Sequence, residues 1–357
     1  MKKRVGVFAG GPSVEHEISL QSAKNIYDHI DSSLYEKVLI GITKSHEWYF
    51  IDANRFYEIH GRGELFSLDQ YPELFLRKCL FDEIVKDIDI AFPALHGYLG
   101  EDGSFQGMMR CFNIPCVGPS LTDAALCMDK DLLKRVAASV GINVTPFITL
   151  TDIKDLDAIE IEKRLGFPVF VKPATSGSSL GVVKIKKSEE LYEGVKEAFR
   201  FAQKIIIEKG IDCREIECSA LGNDEIFIAT PGEVVCHHEF YSYEAKYLDA
   251  NGASLKIPAP LSLDQLENVK QLAKQAYQIA GCRGMARIDF FMDKEGLFYL
   301  NEINTIPGFT RISLYPKLIE YDGMLQKELV NRLIELGCEQ FKKEKEIADS
   351  GLFLSLK

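Results

Sequence analysis

Residues Arg287-Ile-Asp289-Phe-Phe-Met-Asp293-Lys-Glu-Gly296-Leu-Phe-Tyr-Leu-Asn301-Glu302-Ile-Asn304 read as two apolar strands joined by a polar turn. Side chains two apart on a strand share a face, so Arg287 pairs with Asp289 and Glu302 with Asn304, while Ile288, Phe290 and Ile303 point the other way. A turn over Asp293 to Gly296, with two or four loop residues, sets Arg287 across from Glu302 and Asp289 diagonally from it. One divalent ion could then bridge the carboxylates, and hard oxygen ligands of this kind suit Mg2+ or Mn2+. A half-exposed sheet with one charged face produces the same pattern without a metal. The reading leans toward a ligand site because Asn304-Thr-Ile-Pro-Gly308 runs a polar strand end into a Pro-Gly turn, where backbone N–H groups can face a ligand.

The rest of the chain is enzyme-sized. With 357 residues, 46% hydrophobic and 27% charged, it can bury a large core and should divide into two or three domains. No apolar run is long enough to span a bilayer, and Lys2-Lys3-Arg4 passes directly into a strand, so neither a signal peptide nor a membrane anchor is expected. A net charge of -11 without a basic tract argues against broad nucleic-acid binding. The nine cysteines include no Cys-x-x-Cys pair, which fits reduced thiols in a cytoplasm, most of them core residues.

Strand and helix signals alternate through the first third: a strand over Arg4 to Gly10, a helix over Ile18 to Ile30, strands over Lys37 to Ile42 and Ile88 to Phe92, and a helix after Glu101. That order predicts a parallel α/β domain, whose ligands gather beyond the C-terminal strand ends. Two polar segments lie there, Gly10-Gly-Pro-Ser-Val-Glu15-His16-Glu17 and His96-Gly97-Tyr-Leu-Gly100-Glu101-Asp102-Gly103. The first lacks the spacing of a dinucleotide fingerprint, and Glu15 read alone is a helix-start carboxylate.

Further on, an amphipathic helix over Lys130 to Val140 precedes two strands that flank Lys172-Pro-Ala-Thr-Ser-Gly177-Ser178-Ser179-Leu-Gly181. Glycines and serines let backbone N–H groups approach phosphate oxygens, and Lys172 adds charge; a flexible turn fits the same residues. This is not the usual P-loop, because the lysine comes before the glycines. The segment Phe240-Tyr-Ser-Tyr-Glu244-Ala-Lys246-Tyr247, followed by polar residues up to Pro258, reads as a lid or as an exposed loop.

Taken together and in this order, the motifs resemble the D-alanine:D-alanine ligases of the ATP-grasp superfamily. The likeness is carried by Gly10-Gly-x-Ser-x-Glu-His16, Leu95-His-Gly97, Gly100-Glu-Asp-Gly103, Met128-Asp-Lys130, Val171-Lys-Pro173, Gly177-Ser-Ser179, Tyr243-Glu-Ala-Lys-Tyr247, Arg287-Ile-Asp289, Asn301-Glu-Ile-Asn-Thr305 and Gly308-Phe-Thr-Arg-Ile-Ser313.

The resemblance implies an α/β fold with α+β character in the ATP-binding part, in three domains. These would be an N-terminal Rossmann-like domain over 1–118, a central ATP-grasp domain over 119–208, and a C-terminal one over 209–357 with a mobile loop at 241–258. Two D-alanines would be joined through an acyl phosphate, with ATP split to ADP and phosphate, for peptidoglycan synthesis.

Lys130 and Lys172 would hold the α- and β-phosphates, Lys246 the γ-phosphate, and Ser179 would lie in the phosphate lid. Glu208 with the backbone of Lys209 and Ile211 would take the adenine, and Glu215 the ribose. Asp289, Glu302 and Asn304 would hold two Mg2+ or Mn2+ ions. Glu15 would grip the ammonium of the first D-alanine, in a triad with Ser178 and Tyr247, with His96 nearby. Arg287 and the Gly308 backbone would stabilise the oxyanion, while Ser313 and the Leu314 backbone would receive the second carboxylate. A cytoplasmic homodimer is expected.

Two features depart from the family pattern: Cys213 stands where glycine is common, and the segment from Asp52 to Lys86 is long. A tail over Cys338 to Lys357 either prolongs the last helix or frays. Rival activities are joining D-alanine to D-lactate or D-serine, another ATP-grasp ligation, or nucleotide binding without catalysis. Leu314 after Ser313 and the intact Glu244-Ala-Lys-Tyr247 favour D-alanine at both positions, because the resistance ligases tend to place Arg there and the D-lactate type lacks that motif.

Overall fold

A computed structural model of the chain describes residues 2–63, 65–236 and 252–355. Lys246 and Tyr247, with most of the predicted lid, fall outside them.

The first sheet runs in the order β4-β3-β2-β1-β5, with β1 at Lys3–Gly10, β2 at Tyr35–Ile42, β3 at Trp48–Ile51, β4 at Phe75–Lys78 and β5 at Ile90–Pro93. β1 is parallel to β2 and β5, as expected, but β3 and β4 pair antiparallel at the outer edge. The sheet is therefore mixed: a turn closed by Thr43 N–H to the Glu47 carbonyl at 2.9 Å brings β3 back along β2, and the long segment after Asp52 returns β4 beside β3 through α2 at Ala53–His60. β1 is buried along its last six residues, as a central parallel strand covered on both faces must be.

The second sheet, β6-β9-β7-β8, is antiparallel and consists of Phe147–Leu150, Ile205–Lys209, Val169–Pro173 and Val183–Ile185. Only residues 210–212 separate β9 from β10 at Cys213–Leu221, which opens the third sheet. That sheet runs β13-β12-β10-β14-β15 with β11, Phe227–Ile228, beside β10; the other strands are Ala253–Lys256, Gly232–Cys236, Met285–Asp293 and Phe298–Asn304.

A helix over Leu263–Ile279 packs on this third sheet. Ser262 and Gln265 close a reciprocal capping box at its start, and Val269, Ala273, Ala276 and Tyr277 form one buried stripe. Alanines in the stripe let the helix approach β10 and β14 closely, and the Tyr277 hydroxyl is satisfied by the Gly222 carbonyl at 2.8 Å.

The last helix, Gln326–Ser355, settles the fate of the tail by continuing well past Cys338. It buries Leu329, Val330, Leu333 and Ile334 in one core with Val5, Leu20 and Ile26, so the end of the chain closes on its beginning. Asn331 fastens that contact, accepting from the Asp31 N–H at 3.0 Å and donating to the His29 carbonyl at 3.1 Å. Among the described residues no helix is long and apolar enough to cross a membrane. Fewer cysteines are core residues than expected: Cys79, Cys127, Cys218 and Cys282 are buried, and Cys111 is exposed.

In the hairpin that opened the sequence reading the faces are as expected but the partners are not. Arg287 lies across from Asn304, and Asp289 across from Glu302. Two local events cause the change. The turn closes through Asp293 N–H to the Leu297 carbonyl at 3.0 Å, a three-residue loop with Gly296 at φ +83°, and a bulge beside Asp289 and Phe290 admits one extra residue. Each slips the pairing by one position, and two slips restore the original faces.

Leu300 is fully buried in this hairpin's core whereas Leu297 at the turn is 52% exposed. Leu300→Ala is expected to lower the unfolding free energy by about 2–5 kcal/mol in urea denaturation. Leu297→Ala should stay within about 0.5 kcal/mol of the parent. Equal losses at both positions would refute the face assignment.

Candidate active site

The bulge leaves Arg287, Asp289, Glu302 and Asn304 together on the face opposite the core. Asp289 is 1% exposed and accepts from Arg287 twice, Nε at 2.9 Å and Nη2 at 2.7 Å. Arg287 Nε also lies 3.0 Å from Glu217 on β10, a residue the sequence reading passed over. Its signal was available, since Glu217 is two positions from Glu215 and shares its face. Burial alone disfavours the guanidinium charge, but the two carboxylates outweigh it and hold Arg287 more firmly protonated than usual.

Asn304 Oδ1 is buried without a hydrogen-bond partner, and Glu302 lies 3.4 Å from Lys130 Nζ. A buried carbonyl oxygen with nothing to accept from, beside two carboxylates, fits a hard cation such as Mg2+ or Mn2+. Among the described residues there is no group of three His, Cys, Asp or Glu suited to a metal, so the set is two carboxylates and an amide.

Two clefts adjoin at this face and share Lys130, Gly177, Ser178 and Glu302. The first collects loops distant in sequence. Glu15, at the N-terminus of the helix His16–His29, is 7% exposed and makes no side-chain cap bond. A β-carbon at Gly97 would meet Glu15 Oε2 at 3.2 Å and Ser13 Oγ at 2.9 Å, so glycine is required for the two loops to meet. Gly97 N–H donates to Glu101 Oε2 at 2.7 Å.

His96 is buried with both ring nitrogens engaged, Nδ1 at 3.1 Å from the Ile306 carbonyl and Nε2 at 2.9 Å from Ser22 Oγ. A carbonyl only accepts, so Nδ1 carries the proton. Burial lowers the His96 pKa and keeps the ring neutral. His96 thus ties the turn after Asn304 to the N-terminal domain, with Phe309 N–H donating to Ser22 Oγ at 3.2 Å.

On the far wall, Ser313 precedes the helix Leu314–Tyr321 without capping it; its Oγ instead accepts from Thr310 N–H at 3.0 Å. The helix start therefore keeps backbone N–H groups for an anion. A β-carbon at Gly308 would sit 2.7 Å from Ser313 Oγ.

The second cleft lies between the second and third sheets and is lined by Lys172, Ser179, Lys209, Ile211 and Glu215. Ser178 and Ser179 adopt φ of +52° and +58°, unusual for side-chain-bearing residues and the kind of backbone strain found at ligand loops. Lys130 Nζ, at the start of the helix Lys130–Ser139, donates to the Ser176 carbonyl at 2.8 Å and so holds this loop.

Glu208 carries an unanticipated pairing: Oε1 lies 2.7 Å from Lys134 Nζ and Oε2 2.5 Å from Lys172 Nζ. Burial by itself would push the Glu208 carboxyl up; the two ammonium groups prevail and hold it at about 2. Both carboxylate oxygens of Glu208 are therefore engaged, and its backbone lies in a strand flanked on both sides, across from Phe147 and Phe170. Lys134, fully buried, was missed although it stands one helical turn from Lys130.

The family models place the same identity on both parts of the chain. Residues 4–119 match the D-ala D-ala ligase N-terminus, and residues 136–335 the D-ala D-ala ligase C-terminus. The chain is 44% identical to D-alanine--D-alanine ligase A of Salmonella typhimurium over 351 residues, 95% of this chain and 96% of that protein. It is 42% identical to the D-alanine--D-alanine ligase of Oceanobacillus iheyensis, covering 98% and 99%. The solved D-alanine-D-alanine ligase from Coxiella burnetii superposes with a TM-score of 0.86 at 32% identity, covering 100% of this chain and 99% of that one. A D-Ala:D-Ser ligase from Enterococcus faecalis gives 0.83 at 32% identity, covering 94% and 100%. The fold is that of the ATP-grasp ligases, and the chain belongs to the D-ala D-ala ligase family.

Proposed function

We propose that this protein joins two D-alanine molecules into D-alanyl-D-alanine, splitting ATP to ADP and phosphate by way of an acyl phosphate. The carrying observation is the hairpin face bearing Arg287, Asp289, Glu302 and Asn304 where the two clefts meet. One cleft then holds the amino acids and the other the nucleotide.

In this reading Lys130, Lys172 and the Ser179 loop bind the phosphates, Lys172 exchanging Glu208 for a phosphate oxygen while Lys134 keeps that carboxylate neutralised. Glu208, with the backbone of Lys209 and Ile211 after it, takes the adenine, and Glu215 the ribose. Divalent ions held by Asp289, Glu302 and Asn304 would neutralise the charge that gathers as a carboxylate approaches an anionic phosphoryl group. Glu15 binds the ammonium of the first D-alanine, with Ser178 and Tyr247 completing its surroundings.

Arg287 uses Nε and Nη2 on its carboxylates, and the remaining arm, with the Gly308 N–H, serves the oxyanion of the second step. Ser313 and the Leu314 N–H receive the second carboxylate. Lys246 comes from the 241–258 loop, which would close over the γ-phosphate and exclude water from the acyl phosphate. The same reading divides the chain at 118 and 208, and puts it in the cytoplasm as a homodimer.

Phosphate release is expected to need ATP, Mg2+ and D-alanine, and to stay at background with L-alanine. Product analysis with D-lactate or D-serine added should still yield mainly D-alanyl-D-alanine; a mixed product as the main species would reassign the second substrate. Glu302→Gln should lower kcat by about 10³-fold or more while the urea midpoint is unchanged. Wild-type turnover in that variant would mean that the metal face is misplaced.

A further inference from the structure

The first cleft contains a carboxyl group that none of these roles uses. Glu101 Oε2 accepts the Gly97 N–H at 2.7 Å, whereas Oε1 is buried and has no partner. A native fold seldom leaves a buried carboxyl oxygen unpaired, because its desolvation goes uncompensated. Glu101 lines the cleft with Glu15 and Arg287. Gly97 links the two acids, since Glu101 accepts from its N–H and Glu15 Oε2 lies where its β-carbon would be crowded.

Ligating two D-alanines brings two ammonium groups to this cleft, and Glu15 answers for one. The charged and imidazole side chains there are committed, and the unpaired Asn304 Oδ1 belongs to the cation site of the reading above. Glu217 and Asp289 are paired with Arg287, Glu302 faces Lys130, and both nitrogens of His96 bond within the fold. The second D-alanine also enters as a zwitterion. Its carboxylate has Ser313 and a helix start, but its ammonium has no assigned acceptor.

We propose that Glu101 Oε1 accepts a hydrogen bond from the ammonium of the second D-alanine and so selects an amine as the nucleophile; this rests on the D-alanine ligation proposed above. Burial, then the charge of Glu15, push the Glu101 carboxyl up to about 8 in the absence of substrate. An incoming cation is what such a site lacks. Glu101 and Glu15 together form a two-carboxylate clamp with one arm for each amino acid.

Glu101→Gln tests this, since its amide oxygen can keep the Gly97 N–H bond while the charge is lost. Initial rates over a range of D-alanine separate the two amino-acid subsites. The KM of the second should rise by about 10- to 100-fold, as for loss of a charged hydrogen bond, while those of the first and of ATP stay within about 2-fold. Hydroxylamine, a neutral nucleophile at pH 7.5, attacks the acyl phosphate carbonyl, displaces phosphate and gives D-alanyl hydroxamate. At low D-alanine the variant should form that hydroxamate at the wild-type rate while dipeptide falls.

A rise confined to the first subsite, a parallel loss of hydroxamate and dipeptide, or unchanged kinetics would each overturn the proposal. Glu101→Asp, which keeps the charge, should recover part of the second-subsite affinity, and a variant as poor as the glutamine one would also count against it. Failure of the wild-type chain to release phosphate with D-alanine would instead reject the ligation reading.

Discussion

A largely buried guanidinium held between two carboxylates, Arg287 with Asp289 and Glu217, is the interaction on which the rest of the site depends. Charges removed from water are tolerable only when paired in good geometry. Asp289 faces Glu217 across one strand pair and Glu302 across the other, so the cluster demands the observed registers of β10, β14 and β15 together. A slip by one residue would send Arg287 into the apolar core and Ile288 into the cleft. The same pairing that makes the charge affordable therefore aims Glu302 and Asn304.

Lys134, Glu208 and Lys172 apply the same logic at the other end of the nucleotide cleft. Two buried ionic groups and the partly exposed Lys172, from one helix and two strands, give a local charge of +1, and the surplus belongs to Lys172, which lines the cleft. If Lys172 turns to a phosphate, Glu208 is left with Lys134 as a balanced pair. The helix carrying Lys134 also carries Lys130, so one rigid element fixes both the back of this cleft and the junction with the other.

Much of this was legible in the sequence where the signal is local. Period-two alternation assigned the hairpin faces, and glycine-rich motifs at strand ends marked the loops around Glu15, Gly97 and Gly177. What was not legible depends on partners far away in the chain. The hairpin register turned on a bulge and a three-residue turn, small backbone features that leave alternation intact. Lys134 reads as an ordinary helix lysine until Glu208, from a strand some seventy positions on, is set beside it. The parallel-sheet expectation failed only at its edge, where a short turn brings β3 back beside β2 and β4 returns antiparallel to β3 even though the helix α2 lies between them. Resemblance supplied most of the roles for individual residues, and it says nothing of Glu101 Oε1.

The charges along the two clefts explain how substrates of opposite character are sorted. Among the described residues, the first is lined by Glu15, Glu101, Glu217 and Glu302 against only Lys130 and Arg287. In the second, Lys130, Lys172, Lys184, Lys209 and Arg214 balance an equal number of acids. Ammonium groups are drawn to the acidic cleft and a triphosphate is turned away from it, because the summed charge of each lining sets which ion it favours. The junction is Glu302 facing Lys130, where an anion and a divalent cation would each meet an opposite charge. A phosphoryl group held there lies beside the acidic cleft without entering it, and an amino-acid carboxylate can reach it only if its own ammonium is anchored among the glutamates behind. The acidic lining thus orients each amino acid, ammonium inward and carboxylate toward the phosphate, before any chemistry begins.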